Sequence, residues 1–308
     1  MIYDIIIVGG GVAGLTAALY AKRSGKAVLV LEEETIGGQA ALSPKIENIP
    51  AIESIKGSDF TDRLFEQVLS LGAEVELEKV EGIEKIDDLF RVHTNYGDHC
   101  AKSVILSNGV KHKRLNLPDE EEMIGKGVSY CAVCDGAFYK GEEVALVGDG
   151  NTALQYALLL SSICKKVYVL TLFDRFFGDD ALVKALYKKE NVEIIQNVSV
   201  FDYQVGDDGE LSAVIYKELS GEEEVFALPV KAVFIAIGQI PDNNRFKNLA
   251  ELDKDGFYLT GDDMSCKVEG VYAAGDCRQK KVRQVATACA DGAIAAVSAN
   301  SYLERRGF

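Results

Sequence analysis

The sequence predicts an α/β chain of two Rossmann-like three-layer domains, the second inserted in the first. Three observations predict it. A glycine turn joins a β-rich run to a helix at the start of the chain. The same order of elements returns at mid-chain. A strand-then-turn pattern resumes near the end.

Residues 2–8 are a nearly unbroken apolar run, as expected of a strand buried on both faces. The turn Gly9-Gly10-Gly11-Val12-Ala13-Gly14 follows, then a helix over 11–24 and a second strand over 27–31. This is a βαβ unit. Its counterpart has a strand at Glu143–Val147, a turn at Gly148-Asp149-Gly150, a helix over 152–161 and a strand at Lys166–Leu170. Two polar, proline-containing stretches, 111–127 and 239–245, read as crossings between domains. The expected division is therefore 1–113 with 242–308 as one discontinuous domain, and 114–241 as the insert. Past the second crossing, residues 270–276 form a strand and turn, and an alanine-rich helix runs over about 283–305.

Composition excludes several classes of function. The chain is 48% hydrophobic and 26% charged, suited to a packed core. No apolar run reaches the roughly 18–20 residues needed to cross a bilayer. The start of the sequence carries no export signal, so a cytoplasmic protein is expected. The net charge of −15 argues against nucleic acid or a membrane surface as partner. Among seven cysteines only Cys131 and Cys134 are close in sequence. The three histidines are not spaced as a ligand set, and no second CxxC completes a zinc site, so no metal is expected. The other cysteines, at 100, 164, 266, 277 and 289, read as buried packing residues.

The first glycine turn has the pattern that cradles a dinucleotide. Gly9 allows the tight turn, Gly11 admits a pyrophosphate, and Gly14 lets the helix pack closely. The helix N-terminus supplies N–H donors and a positive dipole end. Glu32 falls where an acid takes the ribose hydroxyls. Gly275-Asp276, after the late strand, favours FAD, because an acid there can accept hydrogen bonds from a ribityl chain. The alternative is that Asp276 merely caps a helix.

Cys131-Ala132-Val133-Cys134-Asp135-Gly136 is the expected chemical centre. A CxxC spacing at a helix start lets two sulfurs close a small ring, and the helix end favours the thiolate. Asp135 is placed to move a proton as the dithiol forms and breaks. The alternative is a pair of small core residues.

These motifs resemble the low-molecular-weight thioredoxin reductase family over essentially the whole chain. Gly37-Gly38-Gln39 and Asn48-Ile49-Pro50 look like that family's FAD-contacting segments. Residues 270–277 and Arg283-Gln284-Val285-Ala286 look like its second flavin site. The resemblance implies an FAD-containing homodimer that reduces the disulfide of thioredoxin. It places Cys134 toward the flavin, Cys131 toward thioredoxin, and Asp135 as acid/base. It also makes the two crossings hinges.

One segment departs from the family. The second glycine turn carries Asp149, a carboxylate where a polyanion would sit. The positions that grip the NADPH 2′-phosphate in the family are Thr171, Leu172 and Phe173 here, with only Arg175 basic nearby. Nor does Thr171 offer the acid that NADH prefers. The chain is thus similar to a clostridial-type branch that takes electrons from reduced ferredoxin. Ferredoxins are usually acidic, so a chain of this charge needs a local basic patch. Lys111, Lys113 and Arg114, or Arg278, Lys280, Lys281 and Arg283, are the candidates. Two other readings stay open: an NADPH-linked thioredoxin reductase, and a flavin–dithiol redox sensor without turnover. Phe308 at the C-terminus is expected to fray, the alternative being a stack on a ring.

Overall fold

The computed structural model describes residues 1–43, 46–219 and 224–308. It divides into two compact units, Met1–Lys111 with Ile240–Phe308, and His112–Gln239. The division falls two residues before the boundaries drawn from the sequence at each crossing.

The first unit is built on β1 (Ile2–Val8), β2 (Val28–Glu32), β3 (Glu74–Leu77), β4 (Val80–Ile86), β5 (Leu89–Thr94) and β6 (Asp98–Leu106), in the order β3-β2-β1-β6-β5-β4. β1 pairs in parallel with β2 and β6. Alternate residues of a strand face opposite ways, and both faces of β1 are covered. Ile5 and Ile7 join a core with the helices α1 (Val12–Arg23), α2 (Gly57–Ser70) and α6 (Val285–Arg306). Tyr3, Ile6 and Val8 join a second core with β4, β5, Phe246 and Tyr258. This is why the sequence of β1 is almost continuously apolar, broken only by Asp4, rather than alternating. β6 is shared. Its first half pairs with β5, while Val104–Leu106 pair with Val271–Ala273 from the far end of the chain.

The second unit repeats the plan. Its parallel sheet has the order Val192–Ile195, Lys166–Leu170, Glu143–Val147, Ala232–Ile235, Val128–Ser129. One face carries α3 (Ala132–Asp135), α4 (Asn151–Ser161) and α5 (Asp180–Leu186). The other carries an antiparallel sheet of Val198–Val205, Leu211–Glu218 and Val225–Pro229. Both units are therefore three-layered.

Two expectations need correction. Phe308 does not fray. Gly307 adopts φ 71° and closes α6, the Phe308 N–H donates to Leu303 O, and the ring meets Tyr302 and Lys102. Of the packing cysteines, Cys164 and Cys277 are buried, but Cys100, Cys266 and Cys289 are only partly so.

Candidate active site

β1 delivers Gly9 into a turn at φ 103°, where a Cβ would lie 2.4 Å from Ser107 O. Gly11 caps α1 in an extended conformation with no side-chain cap, and the space beside its Cα is open. The first N–H groups of α1 thus have no side chain to bond, as an anion seat requires. A Cβ on Gly14 would lie 1.9 Å from Gly9 O, so only glycine allows α1 to start here. Gly14→Ala is expected to cost about 3 kcal/mol of unfolding free energy, read by urea denaturation, because the colliding atom is backbone. Glu32 ends β2, and its carboxylate accepts from the N–H groups of Gly10 at 2.6 Å and Glu34 at 2.8 Å. Gly37 donates its N–H to Gly10 O at 2.9 Å. Gly38 follows with its Cβ direction 3.3 Å from Gly11 Cα, so this segment lies against the glycine turn. Gln39 is exposed in the short turn Gly38–Leu42.

A second cluster comes from the C-terminal segment of the same unit. Gly275 turns at φ 85° and presents Asp276, which is mostly buried. Burial raises the Asp276 carboxyl above its usual range, against the lowering effect of Lys280 and Arg283. Its Oδ1 lies 3.3 Å from Lys280 Nζ, but among the described residues no donor reaches it in hydrogen-bonding geometry. Asp276 caps no helix. The cap of α6 is Gln284, in a reciprocal pair with Thr287. Gln284 Oε1 also accepts from Asn48 Nδ2 at 2.9 Å, so these two distant residues meet. Arg283 lies over the Phe257 ring and donates to Asp276 O. Val285 is the first residue of α6.

In the second unit Cys131 and Cys134 form a disulfide with Cα atoms 5.3 Å apart. Cys131 caps α3, and its Sγ accepts the Cys134 N–H at 3.2 Å. That bond and the helix end both favour negative charge on Cys131 once the disulfide opens. Ser129, on the sheet, accepts the Cys131 N–H at 3.1 Å and donates to Asp135 Oδ2 at 2.6 Å. Burial raises the Asp135 carboxyl above its usual range, and the Ser129 bond partly offsets this.

The second glycine turn repeats the hydrogen bonds of the first. Gly9 N–H donates to Leu31 O, and Gly148 N–H donates to Leu170 O. Gly37 N–H donates to Gly10 O, and Phe177 N–H donates to Asp149 O at 2.8 Å. So Asp149 stands where the first unit has Gly10, and Phe177 where it has Gly37. Thr171 stands for Glu32. It is fully buried, with its hydroxyl bonded to Phe173 O. Leu172, Phe173 and Phe177 are about half exposed, and Arg175 packs on the Phe177 ring. Asp179 N–H also donates to Asn151 Oδ1 at 2.7 Å, so a side chain at the start of α4 is already engaged.

The chain matches the pyridine nucleotide-disulphide oxidoreductase family over residues 3–292. It is 36% identical to thioredoxin reductase of Bacillus subtilis, over 98% of this chain and 95% of that one. It is 37% identical to thioredoxin reductase of Treponema pallidum, over 98% and 97%. The crystal structure of thioredoxin reductase from Streptococcus pyogenes is similar with a TM-score of 0.94 and 36% identity, over 99% of both chains. This chain belongs to the thioredoxin reductase family. It is a flavoprotein, and FAD is the cofactor. The residues present fit that group: the uncapped start of α1, the open space at Gly11, and the buried Asp276 Oδ1 awaiting a donor. Ser129 and Asp291 escape a reading of the sequence. Asp291 is buried in α6, accepting the Gly275 N–H, Lys280 Nζ and Arg278 Nη1. Its signal is a lone acid in an alanine run. Arg278 and Lys280 are therefore not a surface patch. Their side chains are 15% and 8% exposed and are paired with Asp291. Lys111 and Arg114 are paired too, with Glu34 and Glu121. Among the described residues no group of acids, histidines and cysteines is arranged to hold a metal, and no helix is long and apolar enough to cross a membrane.

Proposed function

We propose that the chain is an FAD-dependent thioredoxin-disulfide reductase whose electron donor is reduced ferredoxin rather than NADPH. In this reading it works in the cytoplasm as a homodimer. Residues 1–111 and 240–308 bind FAD, and 112–239 carry the dithiol. The N-terminal N–H groups of α1, with Gly9, Gly11 and Gly14, hold the pyrophosphate. Glu32 takes the ribose and Asp276 the ribityl chain. Gly38, Gln39, Asn48, Gly275, Arg283, Gln284 and Val285 complete the seat. FAD, when bound, supplies the electron pair that opens the Cys131–Cys134 disulfide. Cys131 then attacks the thioredoxin disulfide, Cys134 resolves the mixed disulfide, and Asp135 carries the proton between them.

Thioredoxin as partner rests on the family and on the dithiol. The donor rests on one observation: the second glycine turn keeps the frame of the first but not its chemistry. Asp149 puts a like charge at a pyrophosphate seat, and Phe177 fills the place of a glycine. Thr171, Leu172 and Phe173 leave a 2′-phosphate without charge-assisted partners, each worth about 1.5–3 kcal/mol. The NADPH-linked reading keeps two supports: the intact βαβ frame around Gly148 and Gly150, and the pairing of Arg278, Lys280, Lys111 and Arg114 with acids, which weakens both basic patches that an acidic ferredoxin would need.

The test is anaerobic reduction of the holoenzyme, followed by flavin absorbance, with NADPH, NADH and reduced ferredoxin in turn. Bleaching by ferredoxin alone, reversed by oxidised thioredoxin, is the expected result. Rapid bleaching by NADPH overturns the donor assignment. Bleaching that thioredoxin cannot reverse points to a redox sensor.

A further inference from the structure

We propose that Ser129 is a positioning residue for the dithiol, clamping Asp135 Oδ2 so that Oδ1 carries the proton exchanged with the cysteine pair. The proposal rests on Asp135 being the acid/base of the reaction.

Ser129 is 4% exposed and fixed in the parallel sheet, in register with Phe234. Its hydroxyl has one hydrogen, which goes to Asp135 Oδ2 at 2.6 Å. Its oxygen accepts from the Cys131 N–H, a group that can only donate. Oδ2 is thereby held as an acceptor, so the proton of a neutral Asp135 sits on Oδ1. That oxygen is buried and has no hydrogen-bond partner among the described residues. One serine thus ties the backbone of Cys131, the carboxylate of Asp135 and the sheet together. The groups that bear on Asp135 are Ser129 and Tyr139 from the turn Gly136–Tyr139. Tyr139 is itself pushed up to about 12 by burial, Asp135 and Glu210.

The step balances within the exchange. The Cys131 thiolate attacks a disulfide, forming a mixed disulfide and releasing one thiolate. The Cys134 thiol passes its proton to Asp135, attacks Cys131 Sγ, closes the intramolecular bond and releases the second thiolate. Asp135 must begin as the carboxylate, so the rate rises as pH rises through its pKa. Ser129 donates to the charged form and holds that pKa down. Removing it moves the rise to higher pH.

The experiment uses FAD-loaded enzyme reduced with dithionite and mixed with dithiobis(nitrobenzoate) as the disulfide probe. Single-turnover rates are followed across pH for the wild type, Ser129→Ala, Ser129→Thr and Asp135→Asn. We expect the midpoint of the acid limb to move up by about one pH unit in Ser129→Ala. Ser129→Thr, which keeps the hydroxyl, restores it, and Asp135→Asn abolishes the limb. An unmoved midpoint in Ser129→Ala, with the limb lost in Asp135→Asn, overturns the role of Ser129 alone. A limb that survives Asp135→Asn removes Asp135 as the acid/base, and the proposal with it. A Thr variant that behaves like Ala reduces Ser129 to packing and also overturns it.

Discussion

Cys134→Ser is expected to lower thioredoxin turnover by about four orders of magnitude, as loss of one member of a catalytic unit does, while FAD stays bound. Disulfide exchange needs one sulfur to attack and another to resolve. A serine hydroxyl reaches neither role, because its oxygen does not ionise near neutral pH. The geometry gives the variant a second signature. Cys131 caps α3 and keeps its helix-end environment when residue 134 changes, so its thiolate stays favoured. Cys134→Ser should therefore trap thioredoxin as a stable mixed disulfide, seen as a band of summed mass on a non-reducing gel. Cys131→Ser should trap none. Trapping by Cys131→Ser alone reverses the two roles. Trapping by neither variant removes thioredoxin as the partner.

Asp291→Ala is expected to destabilise the protein by about 3–5 kcal/mol, the cost of leaving buried charge unpaired. Asp291 is the hub for two cations that are almost out of solvent, Lys280 at 3.0 Å and Arg278 at 3.3 Å. Without it, among the described residues the Arg278 side chain keeps only its bond to Thr260, and Lys280 keeps Thr287 and the poorly aligned Asp276. The Gly275 N–H also loses its acceptor, at the turn that presents Asp276. Urea unfolding of the flavin-free protein measures the first effect, and FAD release from the holoenzyme the second. A loss below about 1 kcal/mol would mean that the cations relax into water, against their burial here.

The elements that depend on local pattern were readable in the sequence. The apolar run of β1, both glycine turns and the CxxC pair each announce themselves within a few residues. Residues that matter through distant partners were not. Nothing around Ser129 shows that its hydroxyl meets Asp135 across a strand-to-helix turn. Nothing around Lys280 shows that Asp291 lies beneath it, so a cluster of cations read as surface. Asn48 and Gln284 are 236 residues apart and meet only once the chain has folded. The replacement of Gly37 by Phe177 emerges only when the two units are compared bond by bond. The C-terminal residue misled for a related reason: its anchor, Lys102, belongs to β6.

The divided pairing of β6 has a consequence for biosynthesis. Leu106 leaves the ribosome long before Val271, the start of the strand that covers its edge. At about 5–20 residues per second, that interval is on the order of ten seconds or more. Through it, Val104–Leu106 present unpaired backbone groups, and α1 lacks α6, the helix that completes its core. The inserted unit has its own sheet and two cores, all within His112–Gln239, and can be finished during the wait. An edge waiting this long is the place where misassembly between neighbouring nascent chains would begin.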